Sequence, residues 1–261
     1  MNKKGFKILL IAHPRGELMK RAEKTSIDAR GIKVSNLSFL NPFKIYSVYR
    51  IFKREKVNTI ILNLSSDLKV AGIAAKMAGV RNIIYRRGSA IAIRDTFLNR
   101  YLYRRIVTQI IANSRETART ILENNRKLLP VHKINVIFNG LDLNAFDKQI
   151  PNPVVERTDN EIIIGNAGRL SEEKGQMMLV DLAAILKERG YKFRIIIAGK
   201  GKLKSKLLKY ARSKEVVDQI QLIGFVNNIR DLNSAIDIFV LTSLYEGFGY
   251  VLVEAMAEKI P

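Results

Sequence analysis

Glu161-Ile-Ile-Ile-Gly-Asn-Ala-Gly-Arg-Leu-Ser-Glu-Glu-Lys-Gly175 decides the fold. Its first six residues are an apolar run bounded by polar ones, which reads as a buried strand over Glu161–Asn166. A turn containing Gly165 and Gly168 follows, and Gly175–Arg189 then repeats its apolar residues at helical spacing. A strand passing through a glycine-containing turn into a helix is the βα unit of a parallel sheet.

The same alternation runs outward in both directions. Downstream it predicts strands at Phe193–Ala198, Gln219–Ile223 and Asp237–Leu241, and helices at Leu203–Lys214, Ile229–Ala235 and after Gly249. Upstream it predicts strands at Lys7–Ala12, Thr59–Leu64, Asn82–Arg86, Gln109–Ala112 and Asn135–Phe138. Helices fit Glu17–Ala29, Pro42–Glu55, Leu68–Ala78, Phe97–Ile106 and Arg115–Asn124. Gln149–Asn160 interrupts the pattern with two prolines and a polar tail, which marks a linker. Two successive α/β domains are therefore expected, residues 1–150 and 151–261. The second stops directly after a helix, where another buried strand is expected, so it reads as incomplete.

Charge separates the two halves. Residues 1–150 carry 29 Lys/Arg against 10 Asp/Glu, and residues 151–261 carry 16 against 14. A half this basic is expected to seek an anionic partner, namely lipid headgroups, nucleic acid or a phosphorylated substrate; a soluble basic protein with no particular partner is the alternative. Its basic residues are spread over several elements instead of forming a nucleic-acid reading motif, which weighs against nucleic acid. Tyr101 and Tyr103 among Arg100, Arg104 and Arg105 would suit a membrane interface; a solvated helix face is the alternative. The chain has no cysteine, which excludes disulfides, thiol catalysis and cysteine-bound zinc and fits a reducing, cytoplasmic setting. No apolar run reaches the roughly 18 residues of a membrane span. The basic start at Lys3 and Lys4 could mimic a signal peptide, but no small-residue cleavage pattern follows.

Chemistry concentrates after the strands of the second half. Gly168, Arg169 and Lys174 lie in a strand-to-helix turn, where backbone N–H groups and cations favour a phosphate; a turn with solvated charges is the alternative. It is not a Walker-type phosphate loop. Gly199-Lys-Gly201 reads as a tight turn. Glu246-Gly-Phe-Gly249 precedes a helix, so its glycines allow close backbone approach to an oxyanion while Glu246 can accept hydrogen bonds from polyol hydroxyls. Tyr250–Ala257 is apolar apart from Glu254, and a helix of that composition is expected to be buried on most sides. A carboxylate there needs a partner or a ligand.

Gly168-Arg-Leu with Lys174-Gly175, then Gly199-x-Gly201, Gly224-x-Val226, Glu246-Gly-Phe-Gly249 and Glu254-Ala-Met-Ala257 together resemble the group 1 retaining glycosyltransferases of the GT-B fold, glycosyltransferase family four. Phe138-Asn-Gly-Leu-Asp142 with Phe146 resembles that family's hinge segment, and Ile111-Ala-Asn-Ser114 one of its strand ends. The resemblance is dense from residue 109 to 261. It implies two Rossmann-like domains facing a cleft, the first on the acceptor side and the second binding a nucleotide-sugar of UDP or GDP type. Arg169 and Lys174 would bind the donor diphosphate and Glu254 its ribose. Glu246 would contact the transferred sugar, with the amides of Gly247, Phe248 and Gly249 nearby, and the backbone around Val226 would meet the base.

The implied reaction is retaining transfer to a cell-envelope glycan or lipid-linked acceptor, in lipopolysaccharide or polysaccharide synthesis, without a cofactor or metal. The implied location is the cytoplasm or the inner face of the membrane, with residues 1–150 on the anionic surface. Two departures concern the acceptor side. Arg86 and Arg87 stand where relatives carry a histidine, and His13-Pro-Arg15 stands where many carry paired glycines. His13, Arg15, Arg86 and Arg87 are accordingly the acceptor-side candidates; a loop-structural role for His13 is the alternative, and His132 reads as surface. Relatives also continue beyond the Pro261 equivalent, so a fragment that binds nucleotide without catalysing is the second reading, and a basic nucleic-acid-binding protein the third.

Overall fold

In Thr59–Leu62, Ile60 and Leu62 are buried while Thr59 and Ile61 are not, the two-residue period of a strand with one covered face. The computed structural model describes residues 5–158 and 160–261. Lys3 and Lys4, on which the signal-peptide comparison turned, and Asp159 of the linker lie outside them. Two compact units form. One takes the chain up to Gly88 together with Ala92–Ile137, the other Ser89–Ile91 together with Phe138–Pro261. The prolines put the boundary at 150/151; the contacts part between Ile137 and Phe138.

The first unit holds strands β1 (Leu9–Ala12), β2 (Asp28–Gly31), β3 (Thr59–Leu62), β4 (Asn82–Arg87), β5 (Gln109–Ala112) and β6 (Ile134–Val136). β1 and β2 form a parallel pair, and β3-β4-β5-β6 form a parallel sheet in that order. Ile83, Tyr85 and Ile110 pack with Val48 and Phe52 of the helix Pro42–Arg54 and with Leu68, Ala74 and Leu102. Two sequence expectations fail here. The helix Glu17–Ala29 ends at Ala22, because the Thr25 hydroxyl donates to the Ala22 carbonyl (2.9 Å) and receives the Ile27 amide. Asp28–Gly31 then pairs with β1 as a strand. The second concerns Phe97–Ile106, which is helical, but Tyr103 is buried and packs edge-on against Tyr85 at 6.0 Å. Burial pushes its hydroxyl pKa well above 10. Tyr103 therefore belongs to the core and is not part of an aromatic membrane face.

The second unit has β7 (Ile162–Ala167), β8 (Phe193–Ala198), β9 (Ile220–Gly224) and β10 (Ile238–Phe239), all parallel, in the order β10-β7-β8-β9. β8 is almost continuously buried, as expected of a parallel strand covered on both faces. Ile195 and Ile197 face a core with Leu179, Val180 and Leu207; Ile196 and Ala198 face the other, with Leu232 and Phe239. The chain runs from β7 out through β8 to β9, then returns to the other side of β7 as β10. The loops after β7 and β10 therefore flank a topological switch point, the place where doubly wound sheets bind ligands. The helix Tyr250–Ala257 covers part of this sheet, but only Ala255 is fully buried, and Leu252 and Met256 are exposed. The expectation of burial on most sides is thus corrected: this helix contacts the sheet along one narrow stripe.

Candidate active site

Three loops at the carboxyl ends of β7, β8 and β9 are laced together by backbone. The Gly168 N–H donates to the Ala198 carbonyl (2.9 Å), the Leu170 N–H to Lys200 (3.1 Å) and the Gly199 N–H to Gly224 (2.6 Å). This approach is so close that side chains are excluded. A Cβ on Gly199 would stand 1.8 Å from the Gly168 carbonyl oxygen, and one on Gly201 2.1 Å from that of Leu170. Gly199-Lys-Gly201 is therefore a loop-to-loop joint, more than the tight turn read from sequence.

A second joint ties the β7 loop to the β10 loop. Gly175 has φ 62° and faces the Thr242 carbonyl, where a Cβ would fall 2.2 Å from the oxygen. The Thr242 hydroxyl donates to the Lys174 carbonyl (2.9 Å), and the Leu244 N–H to that of Glu173 (2.9 Å). The Lys174 ammonium thereby pairs with the Glu246 carboxylate, whose same oxygen accepts a hydrogen bond from Ser243 Oγ at 2.7 Å. Thr242 and Ser243 carried no signal in the sequence beyond following a strand.

Gly249 turns the chain with φ 72° into the helix that carries Glu254. Glu254 is half-buried and forms no ion pair or hydrogen bond among the described residues. Burial, and secondarily the charge of Glu258, raise its pKa above the ordinary 4.5. It lines a cavity of about 690 Å3 together with Gly168, Arg169, Lys200, Val226 and Asn227. Asp142, Phe146 and Tyr250 close another side. The Arg169 side chain is exposed and likewise unpaired among the described residues, while its carbonyl is fixed by Gln176 Nε2 (2.9 Å).

Of the residues predicted from sequence, Gly168, Arg169, Val226 and Glu254 line the cavity. Lys174, Glu246, Gly247, Phe248 and Gly249 do not; the Lys174–Glu246 pair stands beside it, on the loops that frame it. The Phe248 ring packs between Phe138 and Tyr250, each 6.4 Å away, and the Tyr250 hydroxyl donates to the Gly140 carbonyl (3.0 Å). Two residues were missed. Lys200 adds a cation to the cavity wall, hidden in the sequence between two turn glycines. Arg230 donates to Glu258 (2.8 Å) and to the carbonyls of Phe146, Asp147 and Gln149, which fixes the short helix Leu143–Asp147 against the cavity.

The acceptor-side candidates all fall in the first unit. His13 Nδ1 accepts the Arg15 amide (3.2 Å) in the turn after β1, so the imidazole shapes that loop. Arg15 is exposed beside it, while Arg86 and Arg87 end β4 in the other sheet. Arg87 lies near the Tyr103 hydroxyl. His132 is exposed in a short 3-10 turn.

Residues 147–261 match the family model described as glycosyl transferases group 1. The match covers most of the second unit and none of the first. Among curated proteins the chain is similar to EpsF of Bacillus subtilis (strain 168), 29% identical over 207 residues that make up 74% of this chain and 51% of that protein. It is also similar to the UDP-Gal:alpha-D-GlcNAc-diphosphoundecaprenol alpha-1,3-galactosyltransferase of Escherichia coli, 26% identical over 87% of this chain and 62% of that one. The chain thus spans less than two thirds of the length of these curated relatives. Anabaena Alr3699/HepE, solved with UDP and glucose, has a TM-score of 0.77 at 22% identity over 97% of this chain and 71% of that one. The chain has the α/β fold of GT-B glycosyltransferases.

Proposed function

We propose that this chain transfers a sugar, with retained anomeric configuration, from a nucleoside diphosphate donor to a glycan or lipid-linked acceptor of the cell envelope. The observation that carries this reading is one cavity, at the carboxyl ends of β7, β8 and β9, lined by Arg169 and Glu254, both unpaired among the described residues, beside the Lys174–Glu246 pair. Arg169 and Lys174 supply the positive potential that a departing diphosphate needs. Glu254, half-buried without a partner among the described residues, can accept hydrogen bonds from the ribose hydroxyls, and Glu246 from those of the sugar. The base would lie against Phe225, Val226 and Asn227 at the far end of the cavity. With two cations on the leaving group, the reaction is read as metal-independent.

The relatives support the substrate class. The Escherichia coli relative is named for a UDP-Gal donor and a diphosphoundecaprenol acceptor. A Staphylococcus aureus relative, 25% identical over 260 residues, is named for capsular polysaccharide biosynthesis. HepE was solved with UDP and glucose. On this reading a uridine donor is favoured over a guanosine one, and the basic first unit works at the inner membrane surface.

Thermal shift against a panel of nucleoside diphosphate sugars tests the proposal. We expect a rise in Tm specific to one donor and abolished in Arg169→Ala and Glu254→Ala. A chain that no nucleotide stabilises would overturn the reading, and a chain stabilised without turnover of donor and lipid-linked acceptor would reduce it to nucleotide binding.

A further inference from the structure

Helix Pro42–Arg54 has two apolar faces. Ile45, Val48 and Phe52 turn toward the core of the first unit, as an amphipathic helix requires. Phe43 and Tyr46 turn the other way and are 82% and 55% exposed. Just ahead, Leu37 caps a 3-10 turn that Leu40 ends, and the two are 70% and 67% exposed, whereas Phe39 between them packs on the core. Leu37, Leu40, Phe43 and Tyr46 recur at every third residue. Four large apolar side chains exposed within ten residues exceed the scattered single exposures of ordinary surfaces.

The surroundings of these four residues say what covers them. From Ile32 to Lys53 the chain has no acidic residue and four cations, Lys33, Lys44, Arg50 and Lys53, while Arg54 pairs with Glu55. Lys44 is held in place by the Lys33 carbonyl (2.8 Å) and Ser38 Oγ (3.2 Å), beside Phe43. Arg50 and Lys53 continue the exposed stripe that Phe43 and Tyr46 begin. An apolar partner protein would complement the side chains but not this uniform positive charge. A bilayer with anionic headgroups complements both, since aromatic and leucine side chains partition into the interface while lysine and arginine stay at the phosphates.

We infer that Leu37, Leu40, Phe43 and Tyr46 form a wedge that inserts into an anionic lipid surface. The inference rests on the reading of a lipid-linked acceptor given above and names where the lipid is met. The wedge leaves the same strand edge as the acceptor-side loop. β2 ends at Gly31, whose missing Cβ would stand 2.8 Å from Pro14, and the Ile32 N–H donates to Ala12. Anchoring at residues 37–46 therefore holds His13–Arg15 near the headgroup layer, where the diphosphate of a lipid-linked acceptor lies.

The chain contains no tryptophan, so Phe43→Trp introduces a sole indole reporter at the wedge. With vesicles of phosphatidylglycerol and phosphatidylcholine we expect its emission to shift to the blue and to be quenched by lipids brominated in the acyl chain. Leu40→Ser with Phe43→Ser should lower vesicle partitioning about tenfold or more, and Phe97→Ser, an exposed aromatic on another element, should leave it unchanged. Absence of vesicle binding would overturn the inference. So would binding in which the indole emission stays unshifted, or a blue shift without lipid that grows with protein concentration, which would mark a second copy as the occupant. Thermal shift by UDP, measured on the same variants, reports the nucleotide site independently, so its loss would count against the proposed function and not against the wedge.

Discussion

The Lys174 ammonium is paired with the Glu246 carboxylate, although the two stand on loops that follow different strands. Each side chain is about three quarters covered, so the pair is shielded from bulk water without being sealed from a substrate. Glu246 spreads its charge between this cation and the Ser243 hydroxyl. The cation is thereby held in one place in the empty fold, ready for the diphosphate of the proposed donor. A preplaced charge avoids reorganisation when negative charge develops on a leaving group.

Lys174→Ala should lower turnover by about 100- to 1000-fold while weakening nucleotide binding much less. Steady-state kcat set against a calorimetric Kd for the nucleoside diphosphate separates the two effects. Equal losses in both would assign Lys174 to ground-state binding alone.

Glu254 should make nucleotide affinity depend on pH. Its folded pKa is raised above 4.5 by burial, so the carboxylate is unfavourable in the empty fold, and its protonated form stabilises the protein at low pH. That contribution is complete below 4.5 and is lost as pH climbs through the higher folded value. A ribose held by the ionised group therefore binds more weakly as pH falls through the same range. Glu254→Gln should raise the Tm of the empty protein at neutral pH, reduce affinity about tenfold or more and flatten its pH profile.

Gly199→Ala and Gly201→Ala should destabilise the second unit by roughly 1–3 kcal/mol or more, because the added methyl meets backbone oxygen at 1.8 and 2.1 Å. Gly190→Ala, where nothing lies within 4 Å, isolates the cost of a positive φ from that of a clash. Urea denaturation of the three variants makes the comparison.

Arg230→Ala should cost about 2–3 kcal/mol, since it leaves the Glu258 carboxylate and three carbonyls without their shared donor. Hydrogen exchange should rise first at Leu143–Asp147, the helix this guanidinium secures.

In the first unit, hydrogen bonds from Lys7 first and Arg30 second bring the Glu55 pKa down to about 2. The stabilising contribution of Glu55 is complete above 4.5 and disappears as pH falls toward 2. Acid titration of Glu55→Gln should lack that part of the loss of stability.

The strands legible from sequence were those with Ile-rich runs, such as Phe193–Ala198, whose burial on two faces leaves no room for polar residues from Ile195 onward. Asp28-Ala-Arg-Gly31 was illegible because its strand character comes from pairing with β1 and from the Arg30–Glu55 contact, not from side chains that favour a strand. Arg169 was legible because a βα alternation fixes which loops share an edge, Glu254 because it is the lone carboxylate of an apolar helix, and Val226 only through the family resemblance. Lys200 was not, since a lysine between glycines looks like any solvated turn. The role of Arg230 depends on carbonyls more than 80 positions away, and no local pattern encodes that. The aromatic surface misjudged at Tyr103 shows the limit of composition: alternation with arginine cannot tell an edge-on ring in a core from one at an interface.

The joint at Gly175 and Thr242 has a consequence for divergence among such chains. It welds the loops bearing Lys174 and Glu246 into one piece, while Phe225, Val226 and Asn227 belong to the loop after β9, which is tied to Gly199 through the Gly224 carbonyl and not to the charged pair. On the proposed function, substitutions in that last loop would exchange one nucleotide for another and leave the charged pair undisturbed, making the identity of the donor a replaceable part and the bond-breaking machinery a fixed one.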